Sequence, residues 1–261
     1  MKVREMDIEF YRQYFNTLEA KNGSGLQFDE AKSCGAKFSG LMSAGRYDRQ
    51  QRKFRDYHKE SLEIIAQLAL DPDQTVIDMG CGTGAFAIHA ANYSRKVYAV
   101  DISDAMLKYA RKKAAGAKLE NIDFFQGGFL TYQHCAEPAD AAVSVLVLHH
   151  LPDFWKLVGL RRLMKMLKTG GRLYLFDVVY SFDVEHYENY FKGFIRSMTE
   201  RAGGDMKQGI EVHFCREYST FGWVMEGILE KAGFEIEQVD YKDNFFAAYL
   251  CTKKAEYATE I

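Results

Sequence analysis

The feature that most constrains this chain is the run Val76-Ile-Asp-Met-Gly80-Cys-Gly82-Thr-Gly84-Ala-Phe86, three glycines at alternate positions directly after a short apolar stretch. Thr75, Val76 and Ile77 are β-branched, as in a buried strand, and Asp71-Pro72-Asp73 supplies a turn ahead of them. Gly80, Gly82 and Gly84 permit φ > 0 and leave bare N–H groups against which a ligand can lie. The small residues Ala85 to Ala91 then predict a helix packed closely on the sheet. A second apolar stretch, Val97 to Val100, ends at Asp101, which follows Gly80 at a spacing of about 20 residues. In a doubly wound sheet a strand-end carboxylate at that distance grips the two hydroxyls of a ribose. Ile102 and Met106 follow it and suit the two faces of an adenine ring.

The glycines do not by themselves separate two nucleoside cofactors, because Gly80-x-Gly82-x-x-Ala85 also satisfies the dinucleotide pattern. Asp78 separates them. Two residues before the first glycine, its carboxylate would face the pyrophosphate of NAD or FAD, where like charge and burial both cost free energy. S-adenosylmethionine has no phosphate, and its ammonium and sulfonium are cations that an acid complements. The residues Asp78-Met-Gly80-Cys81-Gly82-Thr-Gly84 followed by Val97-Tyr-Ala-Val-Asp101 resemble those of the class I S-adenosylmethionine-dependent methyltransferases, of small-molecule type, over roughly residues 71–177. The resemblance implies a seven-stranded, mostly parallel, doubly wound α/β sheet with one antiparallel strand and helices on both faces.

The rest of the chain fits that frame. Ser103-Asp104 caps a helix ending near Gly116, and Asn121 to Phe125 is the next strand. At its end the chain has Gln126-Gly127-Gly128-Phe129, where many members of the family carry an acid for the adenine amino group. Adenine recognition is therefore expected from backbone groups at Gly128 and from Phe129. Ala141 to Leu148 is continuously apolar, as for a parallel strand covered on both faces, with Val145 near its end. It runs into His149-His150-Leu151-Pro152, and such endings in the family lie beside the methionine part of the cofactor. A helix over 153–167, a turn at Lys168–Gly171 and a strand from Arg172 to Val178 complete the alternation. A helix from Ser219 to Ala232 and two strands, Phe234 to Val239 and Phe245 to Cys251, close the sheet.

Four segments are expected: 1–70 as a helical cover, 71–178 as the cofactor-binding core, 179–217 as a substrate lid, and 218–261 as the helix and strand pair completing the core. The cover carries an aromatic stripe at Phe10, Tyr14 and Leu18 and a helical pattern over 47–70 whose basic start (Arg49, Arg52, Lys53, Arg55) reads as a solvated face. Phe28-Asp29-Glu30-Ala31 with Tyr47-Asp48 is similar to an entry segment of small-molecule methyltransferases, which places Tyr47 at the transfer site. The lid segment breaks the sheet pattern with Phe182, Tyr187, Tyr190, Phe191 and Phe194.

Composition excludes other classes. A net charge of −2 from 34 basic and 36 acidic residues offers no basic field to capture nucleic acid. No apolar run is long enough to span a bilayer, and Met1 to Asp7 lacks a signal-peptide core. Five cysteines without Cys-x-x-Cys spacing read as reduced thiols of a cytoplasmic protein. His186, Glu211, His213 and Cys215 have no tight ligand spacing, and no metal is expected. Methyl transfer from a sulfonium is an in-line displacement that needs alignment and exclusion of water, with a base optional. A neutral His149 or His150 suits that base near pH 7, with His186 and His213 behind them. No Asn-Pro-Pro-Tyr or Asp-Pro-Pro-Tyr follows the fourth strand. The acceptor is therefore expected to be a small molecule. An RNA-modifying methyltransferase, a non-catalytic cofactor-binding subunit of a partner enzyme and, more remotely, an NAD-dependent oxidoreductase are the alternatives.

Overall fold

The computed structural model describes residues 26–32, 41–53, 55–202 and 205–255. The aromatic stripe at Phe10 to Leu18 and residues 33–40 lie outside them. Residues up to Lys32 form a unit distinct from 33–261. Its described part is a turn at Asp29, whose Oδ1 accepts from the Ala31 N–H at 3.1 Å.

The larger unit opens with two helices, α1 (Leu41–Gln51) and α2 (Tyr57–Leu68), where the sequence suggested one. Asp56 explains the break, because its side chain caps α2 by accepting from the Lys59 N–H at 3.1 Å. Strands β1 (Thr75–Met79), β2 (Lys96–Asp101), β3 (Ile122–Gln126) and β4 (Ala139–Val145) alternate with α3 (Ala85–Ala90) and α4 (Asp104–Gly116). Helix α5 (Asp153–Lys165) leads into β5 (Leu167–Tyr180). The expected turn at Lys168–Gly171 is an irregularity inside that long strand, between the pairs Ala139–Leu167 and Ala141–Arg172. Helices α6 (Tyr187–Ala202) and α7 (Asp205–Arg216) follow. The chain then runs through β6 (Thr220–Phe221), α8 (Gly222–Ala232), β7 (Phe234–Lys242) and β8 (Phe246–Lys253).

The sheet order is β3-β2-β1-β4-β5-β8-β7, with the two-residue β6 added beside β5. Within the seven-strand path only β8 runs against the others, since it is antiparallel to both β5 and β7. This is the expected doubly wound architecture, enlarged by one short strand. All five residues of β1 are buried, so both faces of the sheet's centre are covered. One cluster joins Ile64 and Leu68 of α2, Phe86 of α3 and Leu107 of α4 to Val97 and Ala99 of β2. Helices α5 and α8 pack on each other and bury Leu160, Leu163, Met225 and Leu229.

Chain order reverses between β1 and β4, which places the switch-point crevice at the carboxyl ends of those strands. Gly80, Asp101 and Val145 all lie at that edge. Helices α6 and α7 leave the same edge after β5, and their aromatic residues pack onto the β7–β8 turn. Phe191 stacks on Phe214 at 3.9 Å between ring centroids, and Phe194 lies 4.3 Å from Phe245.

Candidate active site

The glycine turn is anchored first by backbone. The N–H groups of Gly80 and Cys81 both donate to the carbonyl of Val100, at 2.7 and 2.9 Å. Gly80, Gly82 and Gly84 all take positive φ, at 81°, 52° and 75°. At Gly80 packing adds a second demand, because a Cβ there would sit 2.2 Å from a Val147 methyl. Leu146, just before it, is itself left-handed at φ 58°, an uncommon conformation for a bulky residue, where β4 leaves the sheet.

Asp101 faces the turn from the neighbouring strand. Its Oδ2 accepts from the Gly82 N–H and its Oδ1 from the Ser103 N–H, each at 2.8 Å. Burial pushes its carboxyl up, against the pull of those two donors. Each oxygen keeps a second lone pair for a hydroxyl donor. Asp78 is buried, and its Oδ2 has no hydrogen-bond partner among the described residues. Burial, reinforced by the Asp101 carboxylate, pushes the Asp78 carboxyl up to about 7. An orphaned acid beside a second acid is unfavourable unless a cation compensates it. The ammonium and sulfonium of S-adenosylmethionine fit that demand, whereas a pyrophosphate would aggravate it.

The other expected cofactor residues are spread around this edge. Cys81 is buried, and its thiol is pushed well up, by burial first, so it is an inert packing residue. Ile102 is exposed while Met106 is buried in α4. The Gly128 N–H donates to Thr131 Oγ1 at 3.0 Å. Phe129 is buried against Gly159 of α5, where a Cβ would lie 2.8 Å from Phe129 Cβ, so its ring backs the β3 turn from the core side. Val145 is half-buried and, with Leu146, lines a cleft of about 860 Å³. Its walls include Tyr174, Phe176, Tyr190, Phe194, Phe245 and Phe246, drawn from β5, α6 and the β7–β8 turn.

Helix α1 brings Tyr47 and Asp48 to the same region. Asp48, which the sequence reading left without a role, is buried and accepts from Thr83 Oγ1 of the glycine turn at 2.5 Å. It also pairs with Arg52 at 3.0 Å and Lys113 at 3.3 Å. Arg55 pairs with Glu60 at 2.6 Å, so two of the four cations in the basic run are neutralised locally rather than simply solvated. The Tyr47 hydroxyl is pushed up by burial, with Arg55 opposing and Asp101 adding to the shift, so it remains a phenol and a donor near neutral pH.

His149 and His150 lie in a 3₁₀ turn (Leu148–His150) after β4. Asp177, fully buried on β5, organises that turn by accepting from the Leu148 N–H at 2.6 Å and from His149 Nδ1 at 2.5 Å. His149 Nε2 faces Glu217 Oε2 at 3.4 Å, so both ring nitrogens meet a carboxylate. Burial opposes the charged ring, but Asp177 and Glu217 outweigh it and raise the His149 value. His150 is the opposite case: its side chain is 44% exposed, yet burial and then the neighbouring His149 charge press it down to about 4. His213 also bonds Glu217 and meets Ser219 Oγ at 3.0 Å. His186 stays exposed in a separate 3₁₀ turn (Val184–His186). Asp177 and Glu217 were missed in the sequence; a lone acid inside the apolar run Leu173–Val179 was the available signal for the first.

Comparison with known proteins places this geometry. Residues 76–171 match the family model described as a methyltransferase domain, from β1 into the irregular start of β5. An uncharacterised methyltransferase of Geobacillus kaustophilus is 27% identical over 195 residues, covering 73% of this chain and 85% of that one. Among solved structures, an S-adenosylmethionine-dependent methyltransferase assigned in Methanococcus maripaludis superimposes with a TM-score of 0.59 at 22% identity, covering 85% of this chain and 97% of that one. The magnesium protoporphyrin IX methyltransferase of Synechocystis, solved with S-adenosylhomocysteine bound, gives a TM-score of 0.55 at 17% identity over 95% of this chain and all of that one. With a methyltransferase-domain match over residues 76–171 and an acid-lined glycine turn that suits a cationic nucleoside, this chain carries an S-adenosylmethionine-dependent methyltransferase domain.

Proposed function

We propose that the chain methylates a small, ring-bearing, largely apolar molecule seated in the cleft between β5, α6 and the β7–β8 turn. The observation that carries this reading is the cleft itself: its aromatic walls reach Val145 and Leu146, at the carboxyl end of the strand beside the glycine turn. A volume of about 860 Å³ lies within the ~300–1,000 Å³ range of small-molecule sites. The Synechocystis enzyme, by its name, acts on a ring-bearing small molecule, which agrees with the reading.

S-adenosylmethionine supplies an activated methyl carbon when bound. In this reading Asp101 accepts the ribose hydroxyls and Asp78 complements the cationic methionine end. The glycine turn lines the approach, its Cys81, Gly82 and Gly84 N–H groups spent within the turn and on Asp101 rather than left bare. The backbone edge at Gly128, stiffened from behind by Phe129, borders the adenine together with Ile102 and Met106. Residues 41–70 act as a cover, with Tyr47 donating a hydrogen bond near Asp101. Residues 179–217 act as the lid that excludes water and turns the acceptor toward the donor. Of the two histidines, His150 is the one suited to take a proton from the acceptor, since it stays neutral and half-exposed while His149 is locked between carboxylates.

No described helix is long and apolar enough to cross a membrane. The four described cysteines form no disulfide, which agrees with a reducing, cytoplasmic setting. Local pairing of Arg52 and Arg55 argues against a nucleic-acid surface on α1 and α2.

The test is transfer of isotope-labelled methyl groups from S-adenosylmethionine to a panel of phenols, aromatic acids, amines and short RNA. Labelling of a ring-bearing small molecule, with KM raised by Phe194→Ala, supports the reading. Labelling confined to RNA, or activity only after a partner protein is added, overturns it.

A further inference from the structure

We propose that the knot formed by His149, His150 and Glu217 is a binding site for one divalent transition-metal ion of the zinc type. One donor atom from each of the three residues lies within 4.8 Å of the others. His149 Nε2 and Glu217 Oε2 are 3.4 Å apart. Metal–ligand bonds of ~2.0–2.1 Å in a tetrahedron require neighbouring donors to stand about 3.4 Å apart. His150 Nδ1 stands 3.9 Å from the carboxylate's second oxygen, Oε1, so Glu217 turns one oxygen toward each histidine.

The surroundings have the character of a metal site's outer layer. Asp177 holds His149 through Nδ1 at 2.5 Å, which turns Nε2 toward Glu217, the carboxylate–histidine arrangement that orients a metal ligand. His213 Nδ1 bonds Glu217 Oε2, the same oxygen that faces His149, and the His213 ring is itself fixed through Nε2 by Ser219. Charge points the same way. Asp177 and Glu217 place two negative charges among three imidazole rings in a pocket where His149, Asp177 and Glu217 side chains are at most 8% exposed. One divalent ion neutralises that pair with every imidazole in its neutral form.

The three ligands come from the turn after β4 and from the residue that follows α7. The ion therefore clips the end of the α6–α7 arm to the sheet edge. His150 cannot both hold an ion through Nδ1 and serve as the proton acceptor, so occupancy sets whether that histidine works as a base. This inference concerns binding alone and does not depend on what the acceptor is.

The experiment uses the full chain, stripped with chelator, on a Cys215→Ser background that removes a nearby exposed thiol. Zn²⁺ and Co²⁺ are titrated calorimetrically, with the Co²⁺ absorption spectrum read alongside and the thermal midpoint measured with and without Zn²⁺. The expected result is one equivalent bound, a tetrahedral Co²⁺ spectrum and a higher thermal midpoint with Zn²⁺. His150→Ala, at a half-exposed position, and the isosteric Glu217→Gln should each weaken binding by more than the roughly 10–100-fold that loss of an outer-layer partner costs. Absence of stoichiometric binding, or binding equally tight in both variants, overturns the proposal. Neither result decides whether the chain transfers methyl groups, which the labelling assay reads separately.

Discussion

Two clusters face each other across the carboxyl edge of this sheet, and they are built by opposite means. Around the glycine turn a backbone-bonded loop is joined by two acids contributed by adjacent parallel strands, with Asp78 aligned on Ala99 just short of Asp101. Around the histidine turn the working groups are side chains from four separated places: residues 149–150, 177, 213 and 217. The first cluster is short of positive charge, with an orphaned Asp78 oxygen awaiting a cation. The second closes on itself, each carboxylate answered by a ring nitrogen. In the proposed reading the open electrostatic deficit receives the cofactor's charge, and the hydrogen-bonded network ties down the neighbouring turn beside it.

The contrast is broken most severely at Asp177. Asp177→Asn removes one partner of a buried ion pair, and loss of about 3–5 kcal/mol of stability is expected from urea unfolding. The pair also fixes a pH window. Asp177 is held below its ordinary 3.8, so its contribution is lost as pH falls through the depressed value. His149 is held above its ordinary 6.5, so its contribution is lost as pH rises through the raised value. The wild-type pair stabilises most between those two ordinary values, and the variant should lack the fall in unfolding free energy that the pair gives the wild type below 3.8 and above 6.5.

Gly80→Ala tests the backbone-built side. It forces a side chain into a left-handed residue and against Val147, and destabilisation of about 1–3 kcal/mol is expected, with weaker cofactor binding. Gly82→Ala meets no neighbour and should cost less in the same unfolding assay.

The charge deficit at Asp78 gives a third, smaller effect. Its carboxyl sits near 7, above its ordinary 3.8, so the folded chain holds an extra proton between those values and this group opposes stability increasingly as pH rises through them. A cationic ligand favours the ionised form. Affinity for S-adenosylmethionine should therefore rise with pH up to about 7 and level off above it, and Asp78→Asn should abolish that slope in calorimetric titrations at pH 6 and 8.

The least change is expected in the cleft. Phe194→Ala shortens an aromatic wall and should raise the acceptor KM by about tenfold, the worth of one lost ring contact, while leaving cofactor affinity untouched.

The same contrast explains what the sequence made legible. The glycine turn, the strands β1 to β5 and the acid of β2 are written in contiguous residues whose spacing follows from strand–turn–helix geometry, so the architecture could be read directly. Helix α1's tie to that turn, through Asp48 and Thr83 at 2.5 Å, could not, because the two residues are far apart in sequence and nothing local marks a buried acid on a basic helix. The histidine pair was visible as an ending to β4, but its partners Asp177 and Glu217 are joined to it only by the crossing of β5 and the return of the chain after α7. Phe129 looked like a ligand-facing ring from its place after β3, whereas the glycine at position 159 opens a slot that draws it into the core.

The most direct measurement is a calorimetric titration of S-adenosylhomocysteine and NAD into the wild type and into Asp101→Ala. The account predicts one equivalent of S-adenosylhomocysteine bound by the wild type, no comparable binding of NAD, and a loss of about 100-fold or more in the variant as two charge-assisted hydrogen bonds disappear. Equal affinity in both proteins, or a preference for NAD, would contradict it.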